Sequence, residues 1–138
     1  MKIQHLGLGL VLLGVTACGS SSKIVEPSDL NNQRVFFAFD SSEISEEARN
    51  NLLGQSLYMK NRPATKVTIE GHCDERGTVA YNLALGARRA NAAKNVIVKD
   101  GVEEKRISTI SYGKSRPIAK GSNEAAWKQN RNATTVVK

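Results

Sequence analysis

The densest run of chemically capable side chains is Gly71-His72-Cys73-Asp74-Glu75-Arg76-Gly77, a polar segment with a glycine at each end. Asp40 precedes it, and Arg88 and Arg89 follow it. Four chemistries compete for these residues. A metal centre needs three or four converging ligands, but neighbours on an extended segment point to opposite faces. Nor is there a second cluster, since the other histidine and cysteine are His5 and Cys18 near the start of the chain. A Cys73 nucleophile with His72 as base would need the two side chains to face each other and a third group to orient the base. Nucleic-acid binding draws on the excess of 20 basic over 13 acidic side chains, yet these are scattered and aromatics are only 5%, so no stacking platform emerges. The fourth chemistry is a zwitterion clamp, in which an aspartate pairs with an ammonium and an arginine fork takes a carboxylate.

Alternating secondary structure must position these residues. Arg34 to Phe39 is β-branched and aromatic and predicts a buried strand, which Asp40-Ser41-Ser42 stops. Ser45 caps a helix with Glu46 and Glu47 in its first turn and Ala48, Leu52, Leu53 and Leu57 on its apolar face. Arg62-Pro63 ends that helix, because a residue before proline avoids the α region. Thr65 to Glu70 alternates as a second strand. A helix follows from near Thr78 to about Val98, with Leu83, Ala87, Ala90 and Ile97 as its stripe, until Asp100-Gly101 breaks it. Ile107 to Tyr112 is a third strand. A short helix around Asn123 to Gln129 precedes a last strand, Ala133 to Val137. The order β-α-β-α-β-(α)-β predicts an α/β sandwich with helices packed on one face of a mixed four-stranded sheet. Ligands favour the C-terminal ends of strands in such sheets, where Asp40 and Asp74 both fall.

The 138 residues, 40% apolar and 24% charged, suit one globular domain with a tail and leave no room for a separate cofactor domain. A net charge of +7 favours polyanionic surroundings. Residues 1–17 read as a secretory signal: Lys2 is followed by a short apolar core from Leu6 to Val15, too short to span a bilayer. Val15-Thr16-Ala17-Cys18 resembles a bacterial lipobox, which implies acylation of Cys18 and, with no aspartate beside it, an outer-membrane destination. Residues 18–32 are Ser/Asn-rich and read as a lipidated tether. The folded unit is expected at 33–138. Export also takes the chain away from nucleic acid.

Several separated motifs resemble the OmpA-type peptidoglycan-binding domain. They are Phe36-Phe37-Ala38-Phe39-Asp40, Gly71 to Thr78, Tyr81-Asn82-Leu83, Leu85 to Ala92, Ile110 to Lys114, Pro117 and Glu124 to Arg131. The resemblance implies a noncovalent binder of diaminopimelate in peptidoglycan stem peptides. Asp74 would hold the ligand ammonium and Arg89 its carboxylate, with Phe39, Asp40, Arg76 and Leu85 lining the pocket. It further implies the periplasmic face of an outer membrane, a Tol-Pal type system, and TolB as a partner competing for an overlapping surface. No enzyme, cofactor or metal is implied. A cell-wall hydrolase and a soluble adaptor are the rival classes, the first lacking a visible triad or metal set. Three residues depart from the family pattern: Cys73, Gly86 and Asn132. Gly86 inside a helix should cost about 1 kcal/mol against alanine. Bland readings also stand. These make Asp74 a loop cap, Phe39 core, Arg88 a solvated residue, His72 a hydrogen-bonded loop residue, Cys73 a small buried side chain and Trp127 a packing anchor for its short helix.

Overall fold

The computed structural model describes residues 23–138. The segments expected as a leader and a lipobox, with Cys18, lie outside the described residues. The elements are β1 (Gln33–Phe36), α1 (Glu46–Asn61), β2 (Val67–His72), α2 (Val79–Lys99), β3 (Ile107–Gly113), α3 (Glu124–Asn130) and β4 (Asn132–Val137), with a 3-10 turn at Glu104–Arg106 before β3. The strands form one mixed sheet in the order β1-β4-β2-β3. β4 runs antiparallel to both β1 and β2, and β2 and β3 are parallel across the α2 crossover. This is the α/β architecture that the element order predicts.

Local signals start and stop each helix. Ser45, Thr78 and Asn123 accept hydrogen bonds from the backbone N–H groups of Ala48, Tyr81 and Ala126, so each N-terminus has a side-chain cap. Between sheet and helices lies one core, to which Val35, Val67, Ile69, Ile107 and Ala133 contribute from the strands. Leu52 and Met59 of α1 and Ala90, Ala93 and Ile97 of α2 close over them.

The structure corrects several expectations. β1 ends at Phe36 rather than Phe39, because β4 supplies no partner beyond Asn132. Past that point Arg131 takes over: Phe37 N–H donates to its carbonyl at 2.9 Å, and its Nε donates to the Phe37 carbonyl at 2.8 Å. β2 runs to His72, because pairing with Ser111 and Ala133 carries the ladder through Gly71. On α2, Leu83 is exposed, and the buried line instead passes through Leu85, Gly86, Arg89, Ala90 and Ala93. A glycine and a charged residue on that line hid it from an apolar count. On α1, Gln55, Ser56 and Met59 are buried, whereas Leu57 is only half-buried. The folded unit also begins before residue 33. Leu30 is fully buried, Glu26 pairs with Arg62, and a Cβ on Gly54 would meet the Val25 carbonyl at 2.2 Å.

Gly86 has a purpose that propensity does not reveal. A Cβ on Gly71 would lie 1.7 Å from the Gly86 carbonyl oxygen, and one on Gly86 would lie 2.3 Å from Ser111 Oγ. The two glycines let α2 lie directly on β2, next to the loop that follows it. Gly71→Ala is therefore expected to destabilise the fold by about 3 kcal/mol, well beyond an ordinary surface change. Urea unfolding with an unchanged m-value would check it, and wild-type stability in the variant would refute the close approach.

Candidate functional site

Three segments converge on a cleft of about 380 Å³. The turn after β1 brings Phe39 and Asp40, the loop after β2 brings Cys73, Asp74, Arg76 and Gly77, and α2 brings Tyr81, Asn82, Leu85 and Arg89. Thus Phe39, Asp40, Asp74, Arg76, Leu85 and Arg89, the residues singled out from sequence, all line one cavity. Tyr81, Asn82 and Gly77 fall within the family-like motifs but were not assigned to the pocket. Helical spacing offered a signal for one of them, since Asn82, Leu85 and Arg89 follow an i, i+3, i+7 line on one face of α2.

Arg89 is only 1% exposed, although it carries a full charge. Its Nε donates to Ser41 O at 2.9 Å, Nη1 to His72 O at 3.0 Å and Nη2 to Ala38 O at 3.1 Å. A guanidinium has five N–H groups, so two remain for another acceptor. Burial pulls its pKa down, but arginine starts so high that it stays protonated. Arg89 thereby pins the turn after β1 to the end of β2.

Asp74 is also buried. Its Oδ1 accepts from the backbone N–H of Arg76 at 3.0 Å and from Arg76 Nε at 3.1 Å, and its Oδ2 accepts from Nη2 at 2.8 Å. Arg131 Nη1 stands 3.7 Å from Oδ2. Burial pushes the Asp74 carboxyl pKa up, but the Arg76 hydrogen bonds and the charges of Arg76 and Arg131 outweigh it and hold the carboxyl below its ordinary range. The loop-cap role of Asp74 and a ligand role are compatible, because a carboxylate has about four acceptor sites. Asp40 sits across the cleft at φ 53°, a left-handed conformation that aspartate tolerates, and accepts from the Tyr81 hydroxyl.

The remaining candidates fall into supporting places. Cys73 is buried, and its Sγ donates to Asn82 O at 3.2 Å. Burial pushes the thiol pKa up, which suppresses the thiolate needed of a nucleophile. His72 does not line the cleft. Its Nε2 pairs with Glu70 at 3.2 Å and its ring stacks on Tyr112. Burial lowers its pKa, so the ring stays neutral. The Cys73–His72 couple is therefore not assembled. Among the described residues no three His, Cys, Asp or Glu side chains group closely enough to hold a metal ion. Arg88 is exposed. Trp127 is more than a packing anchor: its ring centroid lies 4.0 Å from the Arg76 guanidinium carbon, which also lies 4.1 Å from the Phe39 ring centroid.

A helix-backed mixed sheet with a charged cleft at its strand ends defines a small binding domain. Residues 36–131 match the OmpA family model, and the chain belongs to the OmpA family. It is similar to the peptidoglycan-associated lipoprotein of Agrobacterium fabrum, with 42% identity over 127 residues covering 91% of this chain and 72% of that protein. The peptidoglycan-associated lipoprotein of Brucella melitensis is 44% identical over 133 residues, covering 96% and 75%. Among solved structures, the peptidoglycan-associated lipoprotein from Burkholderia pseudomallei matches with a TM-score of 0.75 at 38% identity, covering 78% of this chain and 91% of that one.

Two outcomes are expected from this geometry. Arg89→Ala strands three carbonyls and should lower the unfolding free energy by about 3 kcal/mol, and Arg89→Lys should not restore it, because lysine lacks the planar fork. A lysine variant of wild-type stability in urea would contradict the three-carbonyl clamp. The second outcome concerns acid. A carboxyl held below its unfolded pKa contributes stability above about pH 4 and loses it as pH falls through the lower, folded value. Asp74→Asn should therefore show a shallower loss of stability than wild type as pH drops below about 4, read from unfolding curves at a series of pH values.

Proposed function

We propose that this domain binds peptidoglycan noncovalently by clamping the zwitterionic side chain of diaminopimelate in an uncrosslinked stem peptide. The cleft itself supports this reading: a buried carboxylate and a buried guanidinium, with two N–H groups beyond the three given to backbone carbonyls, line one small cavity. Asp74, helped by Asp40, takes the ligand ammonium. Arg89 takes the carboxylate, and Phe39 and Leu85 cover the methylenes. Opposite charges at opposite ends select a zwitterion over a simple cation or anion.

The role is mechanical, not enzymatic. Acyl chains on Cys18 would hold one end in the outer membrane, since two or more chains anchor where one does not. The cleft would hold the other end to the wall, and many copies facing one polymer gain by multivalency. The relatives' name, peptidoglycan-associated lipoprotein, supports both ends of this tether. A Tol-Pal type system and competition by TolB belong to the same reading. Exposed apolar side chains on and beside the cleft rim, Phe39, Val79, Tyr81 and Leu83, support a protein partner there.

Sedimentation with diaminopimelate-type peptidoglycan tests the proposal. Wild type should pellet at about 0.3 M salt, where surface charge is largely screened. Asp74→Ala should weaken binding by about tenfold or more. Arg49→Ala, an exposed charge change on α1, should bind like wild type. If all three pellet equally, or only at low salt, the positive charge is binding the wall without the cleft.

A further inference from the structure

Resting on that reading, we infer that α3 belongs to the binding site, with Trp127 acting as a positioning residue for Arg76. Arg76 lies on a loop and is only partly buried, so its side chain would ordinarily sample many rotamers. Here its guanidinium makes cation–π contacts with two aromatic rings at once, Phe39 at 4.1 Å and Trp127 at 4.0 Å. A guanidinium held against two rings keeps its plane, and with it the directions of all its N–H groups. Two of those groups are spent on Asp74, at 3.1 and 2.8 Å. Three remain, and Arg76 lines the cleft, so it can meet a carbonyl or carboxylate of the stem peptide beside the diaminopimelate.

The tie between α3 and the loop is built from several contacts. Trp127 Nε1 donates to Glu75 Oε1 at 3.0 Å, which fixes the indole beside the residue preceding Arg76. Arg131, just after α3, bonds Glu124 of α3 at 2.8 Å and stands 3.7 Å from Asp74. A helix needed only for packing would have no reason to carry its aromatic residue on a cleft cation. Removing the Trp127 ring should free the Arg76 plane, and binding should weaken through Arg76 alone.

Calorimetry on the full chain in detergent, titrated with a soluble stem tripeptide ending in meso-diaminopimelate, separates the possibilities. Trp127→Ala should raise the Kd about tenfold. Trp127→Phe, which keeps a stacking face, should stay within about twofold of wild type. The decisive comparison is the double variant: Arg76→Ala with Trp127→Ala should bind no more weakly than Arg76→Ala alone, because a positioning residue has nothing left to position. If Trp127→Ala binds like wild type, or weakens the Arg76→Ala background by the same factor as it weakens wild type, α3 is only packing and the inference falls. If wild type itself does not bind the tripeptide, the zwitterion reading falls with it.

Discussion

The site depends on one nearly buried guanidinium at the wall of the cleft. Arg89 is 1% exposed and gives its donors to three backbone carbonyls, those of Ala38, Ser41 and His72. Those carbonyls belong to the turn after β1 and the end of β2, strands that do not touch because β4 lies between them. Arg89 therefore bridges across a missing neighbour and makes one wall of two strand ends. It reaches that position only because Gly71 and Gly86 bring α2 down onto β2. The same device recurs elsewhere. Arg106 donates to the carbonyls of Met59, Arg62 and Thr65 at the end of α1, and Arg131 to that of Phe37. A backbone held by cations leaves the acidic groups at the cleft as the natural counter-charge.

That arrangement explains how a cleft of about 380 Å³ can be both charged and stable. Each buried charge has partners, so none is left as an isolated ion in a low-dielectric interior. Asp74 is satisfied by Arg76 and approached by Arg131, and Arg89 is satisfied by carbonyls. Neither arrangement exhausts the side chain: lone pairs remain on Asp74 and two N–H groups on Arg89. The proposed ligand would use this residual capacity without first dismantling the fold. A site preorganised in this way loses little to reorganisation on binding, which suits a wall contact made and broken by many copies at once.

Most of the fold was legible in the sequence. Ser45 caps its helix as read, the next two helices start beside Thr78 and Asn123, and the alternation at Val67 and Ile69 does mark a core-facing strand. The failures share one cause. The end of β1, the length of β2 and the buried line of α2 are all decided by long-range partners: Arg131 on Phe37, Ser111 and Ala133 on Gly71, and the carbonyls on Arg89. Local propensity and apolar spacing are blind to such contacts. Phe39, Asp40, Asp74, Arg76, Leu85 and Arg89 were legible as one cleft because separated motifs marked them. What those motifs left unseen is that Arg89 holds the backbone as well as lining the cavity. Also unseen was that Trp127 lies against Arg76, some fifty residues away along the chain.

Recognition of a zwitterion by the cleft is tested by altering the ligand rather than the protein. Two stem tripeptides that differ only at the third residue, meso-diaminopimelate in one and L-lysine in the other, share the side-chain ammonium, but only the first adds a side-chain carboxylate. Calorimetric titration of the full chain with each should give clear binding of the diaminopimelate peptide and at least about tenfold weaker binding of the lysine peptide, the loss expected for one charge-assisted hydrogen-bonded contact. Equal affinity for the two would mean that Arg89 meets no ligand carboxylate, and the clamp would be contradicted.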